Sequence, residues 1–177
     1  MTDHPAGRKQ ALAREIVFDV SDVELATRAQ ELQKPVTVEN PRFGVFTLNR
    51  SVNWFCGASL WAGKRTELNL SMENSDSVEE LFAVATQIWD SEEEWNDKIV
   101  EYAVKSLLPL KNDVWLEEDE MELNADQFGE RMSLNSITIY PDGAFEFWYD
   151  DGGMFLGHLI MVRGSLAGGL DDAGIHG

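Results

Sequence analysis

Cys56 is the only cysteine in 177 residues, which excludes an intrachain disulfide and a zinc site built from the cysteines of one chain. Histidine is nearly as scarce, at His4, His158 and His176. No apolar run approaches the roughly 18 to 20 residues that a membrane-crossing helix needs. The N-terminus, MTDHPAGRKQALAREIVFDV, has no long apolar core and no small-residue cleavage pattern, so it does not read as a signal peptide. A cytoplasmic location is the expectation. Basic residues are also few: 14 Lys/Arg face 32 Asp/Glu, for a net charge of −18. Such a surface repels nucleic acid and anionic lipid, whose binding relies on Lys/Arg. It favours a basic protein partner and speeds the encounter with one. Catalytic signatures are missing too. There is no Gly-x-Ser-x-Gly elbow, no His-Glu-x-x-His helix and no phosphate-cradling glycine loop. No cofactor is expected, and the balance leans against an enzyme.

What is present is the composition of a globular chain, 44% hydrophobic and 26% charged. Residues 1–13, with Pro5 and Gly7, are expected to be mobile, and residues 14–177 to form one α+β domain. Ile16, Phe18 and Val20 alternate as in a short strand. Ser21 and Glu24 have capping-box spacing, which predicts a helix over residues 22–33, closed by Pro35. Strands are then expected near 43–49, 53–61 and 65–72, with a tight turn at 62–64.

Two helical patterns follow. Val78, Leu81, Phe82, Ala85, Ile88 and Trp89 recur at helical spacing after a Ser77/Glu80 box. Trp95, Ile99, Tyr102, Ala103, Ser106 and Leu107 do so after a Ser91/Glu94 box, and Pro109 is expected just beyond that helix's end. Glu92, Glu93 and Glu94 suit the positive end of its dipole. A third, short helix is expected over 125–132, with Asn124 and Gln127 as its box. The last third reads as a meander with strands near 134–140, 144–149 and 154–163 and a closing edge strand. The expected fold is therefore α+β: antiparallel sheet with a C-terminal β-meander, packed by a central helical segment.

Two places carry candidate functional residues. Residues 73–126 hold three bases against seventeen acids, a local charge of −14. Between Asp113 and Asp126 lie seven acids and no base. Trp115 with Glu117, Glu118, Asp119 and Glu120 is the expected binding surface, in which Trp115 and Met121 are apolar anchors ringed by charge. The other place is FEFWYDDGGMFLGH, residues 145–158, read as a hairpin. The alternative to a binding module is a small metal-binding or hydrolytic domain centred there. Asp150, Asp151 and His158, with His176, Asp171 or Asp172, are its possible ligands. Against it, Asp-Asp-Gly-Gly is turn chemistry in its own right. A calcium loop is not expected, because alternating ligands and a closing glutamate are missing. Cys56 is not expected to be a nucleophile.

The run SITIYPDGAFEFWYDDGGMFLGHLIMV resembles the bacterial domain of unknown function 2262, whose pattern is an aromatic strand, an acidic-glycine turn, Phe-x-Gly-His and an apolar strand. Here these are Tyr149, Asp150-Asp151-Gly152-Gly153 and Phe155-Leu156-Gly157-His158, with Leu156 where an aromatic often stands. FGVFTLNR and WFCGASLWAG look like the family's earlier strands, so the resemblance covers about residues 41–177. It implies a bacterial cytosolic protein with no assigned catalytic residues. Some look-alike families occur beside toxin genes as immunity proteins, which adds an immunity-like role to the binding expectation.

Overall fold

The structure, a computed structural model, describes residues 24, 25, 27, 28 and 34–177. The chain divides into two compact units, Met1–Lys34 and Pro35–Gly177. In the first, residues 24, 25, 27 and 28 are helical. The expected strand at 14–20, the Ser21 cap and the mobile 1–13 stretch lie outside the described residues.

The second unit is an α+β fold with one eight-stranded, mostly antiparallel sheet and three helices. In chain order the strands are β1 (Thr37–Asn40), β2 (Gly44–Asn49), β3 (Trp54–Trp61) and β4 (Lys64–Ser71), then β5 (Ser133–Ile139), β6 (Ala144–Asp150), β7 (Leu159–Ser165) and β8 (Gly169–His176). Spatial order equals chain order. Every neighbouring pair is antiparallel except β4 and β5, which run parallel from Glu67–Ser136 to Leu70–Ile139. The sheet is thus two four-strand meanders joined at one parallel seam. A parallel pair needs a long crossover. Here it contains the helices α1 (Val78–Asp90), α2 (Glu92–Val114) and α3 (Ala125–Arg131).

Alternation decides which strand face meets the helices. Leu68, Leu70, Ile137, Ile139, Phe145, Phe147, Ile160 and Val162 are fully or almost fully buried and share one cluster with Leu81, Ala85 and Ile88 of α1 and Ile99, Ala103 and Leu107 of α2. Aromatic rings meet edge-on across this layer: Phe46 with Phe82 at 5.1 Å, Trp61 with Trp89 at 4.9 Å and Trp95 with Phe145 at 5.0 Å. Offset and edge contacts suit the ring quadrupoles. Both buried indole donors are satisfied, Trp61 by Asn96 Oδ1 (3.1 Å) and Trp89 by the Leu60 carbonyl (2.8 Å). Gly57 is glycine because the Phe46 ring stands 2.7 Å from where a Cβ would sit. The opposite face carries a cross-strand row of Cys56, Asn69, Thr138, Glu146, Arg163 and Asp172.

Several expectations are corrected. β1 was not foreseen, for TVEN is short and polar. The Ser77 and Ser91 boxes do not form. Ser77 Oγ instead donates to Glu79 (3.0 Å). Ser91 is at once the last cap of α1 and the first of α2, at ψ 34°, and its partner Glu94 bonds Lys98. A single shared residue does not adopt the extended backbone that a capping hydroxyl needs. Pro109 does not end α2, which continues to Val114. A proline inside a helix forfeits one ladder bond and strains the preceding turn. The turns beyond it are held from outside, by Lys111 and Asn112 as described below. The expected strand at 154–163 begins only at Leu159; the residues before it form a loop. The box at Asn124/Gln127 forms in full, with bonds of 2.9 and 3.0 Å.

Tyr149 lies on the core face, 3% exposed, and its hydroxyl has no hydrogen-bond partner among the described residues. An unsatisfied buried hydroxyl is a net cost. Tyr149→Phe is therefore expected to leave stability unchanged or raise it by about 1 kcal/mol, read from urea unfolding. A loss of stability would show that the hydroxyl has a partner.

Candidate functional site

The two candidate regions meet at one corner of the fold. Residues 151–158 are a loop rather than the arm of a hairpin. Asp151 organises it: Oδ1 accepts from the Gly153 amide (2.9 Å), and Oδ2 accepts from the amides of Phe155 (2.6 Å) and Gly157 (3.1 Å). Asp151 as a whole is 4% exposed. Gly152, Gly153, Leu156 and Gly157 all have φ between +56° and +85°, which no extended strand contains. Gly152 is also sterically required, since a Cβ there would run into the carbonyl of Arg131. The consecutive residues Met154 and Phe155 are both buried, whereas a strand would send them to opposite faces.

Phe155 anchors the loop. Its ring meets Trp115 at 5.7 Å and Phe128 of α3 at 6.1 Å. His158 is half-buried and also meets Trp115, at 5.6 Å between ring centres. Its Nδ1 lies 2.6 Å from the Phe155 carbonyl. A carbonyl only accepts, so Nδ1 carries the proton. The Nε2 edge abuts Gly177, where a Cβ would come within 2.7 Å. His158 thus locks the loop to Trp115 and to the end of β8.

The acidic segment packs beside this loop. Lys111, 1% exposed, donates to the Trp115 carbonyl (2.7 Å) and to Glu120 Oε2. The other oxygen of Glu120 receives Arg131 (3.4 Å), and the Glu117 amide also reaches Glu120 (3.4 Å). The Lys111 ammonium is the main cause that holds the Glu120 carboxyl below its usual range. Asn112 clamps the Leu123 backbone in both directions, at 2.9 and 3.0 Å. The segment is therefore pinned at residues 115, 120 and 123, and the rest faces solvent.

The sequence-derived residues separate accordingly. Glu117, Glu118 and Asp119 are exposed and form no ion pair among the described residues. Glu120 is turned inward as the counterion of Lys111. Trp115 is half-buried between Phe155 and His158 and ties the two loops together. Met121, the other expected anchor, is 84% exposed, and two apolar residues that were not expected are exposed as well: Leu156 at 73% and, one residue before Trp115, Val114 at 69%. Leu156 also holds φ +57°, a conformation in which a bulky residue is a genuine outlier. In sequence its only signal was a leucine flanked by turn residues. Lys111 gave no signal, because an isolated lysine on an amphipathic helix reads as solvated.

As a metal centre the corner is poorly furnished. Asp150 is exposed at the end of β6, while both oxygens of Asp151 are engaged by backbone amides. Among the described residues, no three His, Cys, Asp or Glu side chains converge closely enough to share an ion. Asp171 and Asp172 pair with Arg163 instead. Cys56 is half-buried, and burial pushes its thiol up, away from thiolate character. No helix among the described residues is long and apolar enough to cross a membrane.

Residues 40–175 match the family model described as an uncharacterized protein conserved in bacteria, DUF2262, and the chain belongs to that family. No curated protein and no solved structure matches it.

Two predictions follow from this geometry. Asp151→Ala is expected to cost about 3 kcal/mol, since bonds to a buried charged acceptor are worth about 1.5 to 3 kcal/mol each and do not add fully. Asp151→Asn, left with one acceptor oxygen, should fall between the two. Urea unfolding checks the order, and near-ultraviolet dichroism of Trp115 reports the loop. The second concerns Glu120, whose native pKa lies below the unfolded value. Its stabilisation is present above the unfolded pKa, ordinarily 4.5, and is lost as pH falls through the lower native one. Glu120→Gln should flatten that acid limb. It should also lower Tm more than Lys111→Met, which removes the buried charge rather than stranding it.

Proposed function

We propose that this DUF2262 member is a non-enzymatic protein-binding module that engages a basic partner through the corner formed by residues 114–122 and 151–158. The observation that carries the reading is Leu156. It is a large apolar side chain held out in solvent on a left-handed backbone by a buried carboxylate, so both its exposure and its conformation are costly. Met121 and Val114 add apolar surface on the neighbouring segment, where Glu117, Glu118, Asp119 and Glu122 are exposed carboxylates. Apolar anchors inside a charged rim have the anatomy of a protein interface. Because Asp151, Phe155, Trp115 and Lys111 fix both loops, binding orders little that is not already ordered.

The charge indicates the partner class. A nuclease is one instance, since a surface that holds phosphate is basic. An inhibitor of such an enzyme would cover that surface with carboxylates, which is the sense in which the module is immunity-like. The residues that would do so are Glu117, Glu118 and Asp119; Glu120 supports the loop from beneath.

A photoreactive amino acid at Leu156 or Met121, introduced in the source bacterium's cells, tests the reading. The expected outcome is one dominant crosslinked protein with a basic surface. Its affinity should drop by about tenfold or more on reversal of Glu117, Glu118 and Asp119 to lysine, and should also weaken with salt. Crosslinking that is unchanged by this triple reversal would refute it.

A further inference from the structure

β2 and β3 are bonded to each other only from Thr47–Cys56 to Asn49–Trp54. Beyond Cys56 they part. Gly44 to Phe46 pair only with β1, and Gly57 to Trp61 pair only with β4. The Phe46 ring, lying on Gly57, closes the inner end of the gap. The mouth is a cleft of about 520 Å³ whose lining includes Arg42, Gly44, Ala58, Ser59, Leu60 and Arg65.

The lack of carboxylates in its lining separates this cleft from others on the same molecule. One is lined by Glu73 and Asp142, a second by Glu101 together with Lys98 and Lys105, and a third by Glu39 and Glu79. The cleft between β2 and β3 has no carboxylate in its lining and has two guanidiniums, in a chain where acids outnumber bases 32 to 14.

The guanidinium of Arg42 is already positioned. Asn40 Oδ1 accepts from the backbone amides of Arg42 (2.9 Å) and Phe43 (3.2 Å), which fixes the turn between β1 and β2. The Arg42 Cζ stands 5.5 Å from the centre of the Phe43 ring. Nη1 donates to Asp90 (2.6 Å) and to the Thr86 carbonyl (3.5 Å), while Nη2 and Nε make neither bond. Arg65 is exposed and forms no ion pair among the described residues. Across the β3–β4 register stands Leu60, 62% exposed, and beside Gly44 stands Val45, 59% exposed.

We propose that this notch binds a carboxylate carried on a short apolar group. The carboxylate sits between Arg42 and Arg65, whose planar forks match its two oxygens. The apolar part covers Leu60 and Ala58 and withdraws them from water. A bare phosphate satisfies the charge but leaves that apolar wall wet. A free short-chain acid and the last residue of a peptide share the required chemistry. This site is distinct from the corner of residues 114–122 and 151–158, and the two stand or fall separately.

The test follows the Trp89 indole N–H of the full chain by NMR, because its bond to the Leu60 carbonyl forms part of the wall. The probes are hexanoate, hexylammonium, inorganic phosphate, and N-acetyl-alanyl-leucine with a free or an amidated end. Hexanoate or the free-ended dipeptide should move the Trp89 signal saturably; hexylammonium and the amide should not. Arg65→Gln and Arg65→Glu should keep the wild-type Tm and weaken the response by about tenfold or more. A response to hexanoate only assigns the site to a free acid, and one to the dipeptide only assigns it to a chain end. No saturable shift with either carboxylate overturns the proposal. So does an equal response to hexylammonium, phosphate binding as tightly as hexanoate, or unchanged affinity in both Arg65 variants.

Discussion

Two oxygens of one carboxylate, that of Asp151, accept three backbone amide protons, and the corner of the fold depends on that arrangement. Four residues in the loop have positive φ, and such a backbone has no ladder in which to satisfy its amides. Asp151 supplies the missing acceptors from inside. With the loop fixed, Phe155 reaches between Trp115 and Phe128, so the C-terminal meander is locked onto the end of α2 and onto α3. Lys111 performs the complementary task from the helix side, as a buried cation that draws the Trp115 carbonyl and Glu120 inward. One buried anion and one buried cation therefore shape adjacent loops, each through charge-assisted bonds that tolerate little displacement.

Such pins leave the intervening residues free to serve other ends. Glu120 and Glu117 lie three positions apart in the same acidic run, yet one is a structural counterion and the other is solvated. The net charge of −18 is accordingly not a uniform coating. Glu92, Glu93 and Glu94 occupy the first turn of α2, Glu120 neutralises a buried lysine, and Asp171 and Asp172 hold Arg163. Glu117, Glu118 and Asp119 have no such structural task among the described residues.

The sequence made the periodic parts legible and hid the parts set by single side chains. Most strands and all three helices of the second unit were readable, because alternation and helical spacing mark them; so was the Asn124/Gln127 cap. Three features misled. Serine and glutamate three residues apart suggested boxes at Ser77 and Ser91, but Ser91 is shared between two helices and lacks the extended backbone of a cap, while Ser77 has that backbone and spends its hydroxyl on Glu79. Pro109 suggested a stop, but contacts from Lys111 and Asn112 hold the turns beyond it. Met154 to His158 read as strand by composition, whereas bonds from the Phe155 and Gly157 amides to one aspartate made them a loop. At the site, the acidic run and Trp115 were visible from composition. Met121 was visible in the same way, but the exposure of Leu156 and the inward turn of Glu120 depend on tertiary contacts that no local pattern encodes.

The parallel seam between β4 and β5 has a consequence for how the chain assembles. Every other strand pairing links neighbours along the chain, through short connections in which little loop entropy is lost. Only the seam waits on the whole helical crossover to be in place. Each meander has the means to zip up by itself, while their union is a docking event with the helices as template. The interval before docking is also when the facing sides of β4 and β5 offer unpaired backbone to any passing strand. The vulnerable moment in the life of this protein therefore lies at the middle of its finished sheet, where the folded molecule is best protected.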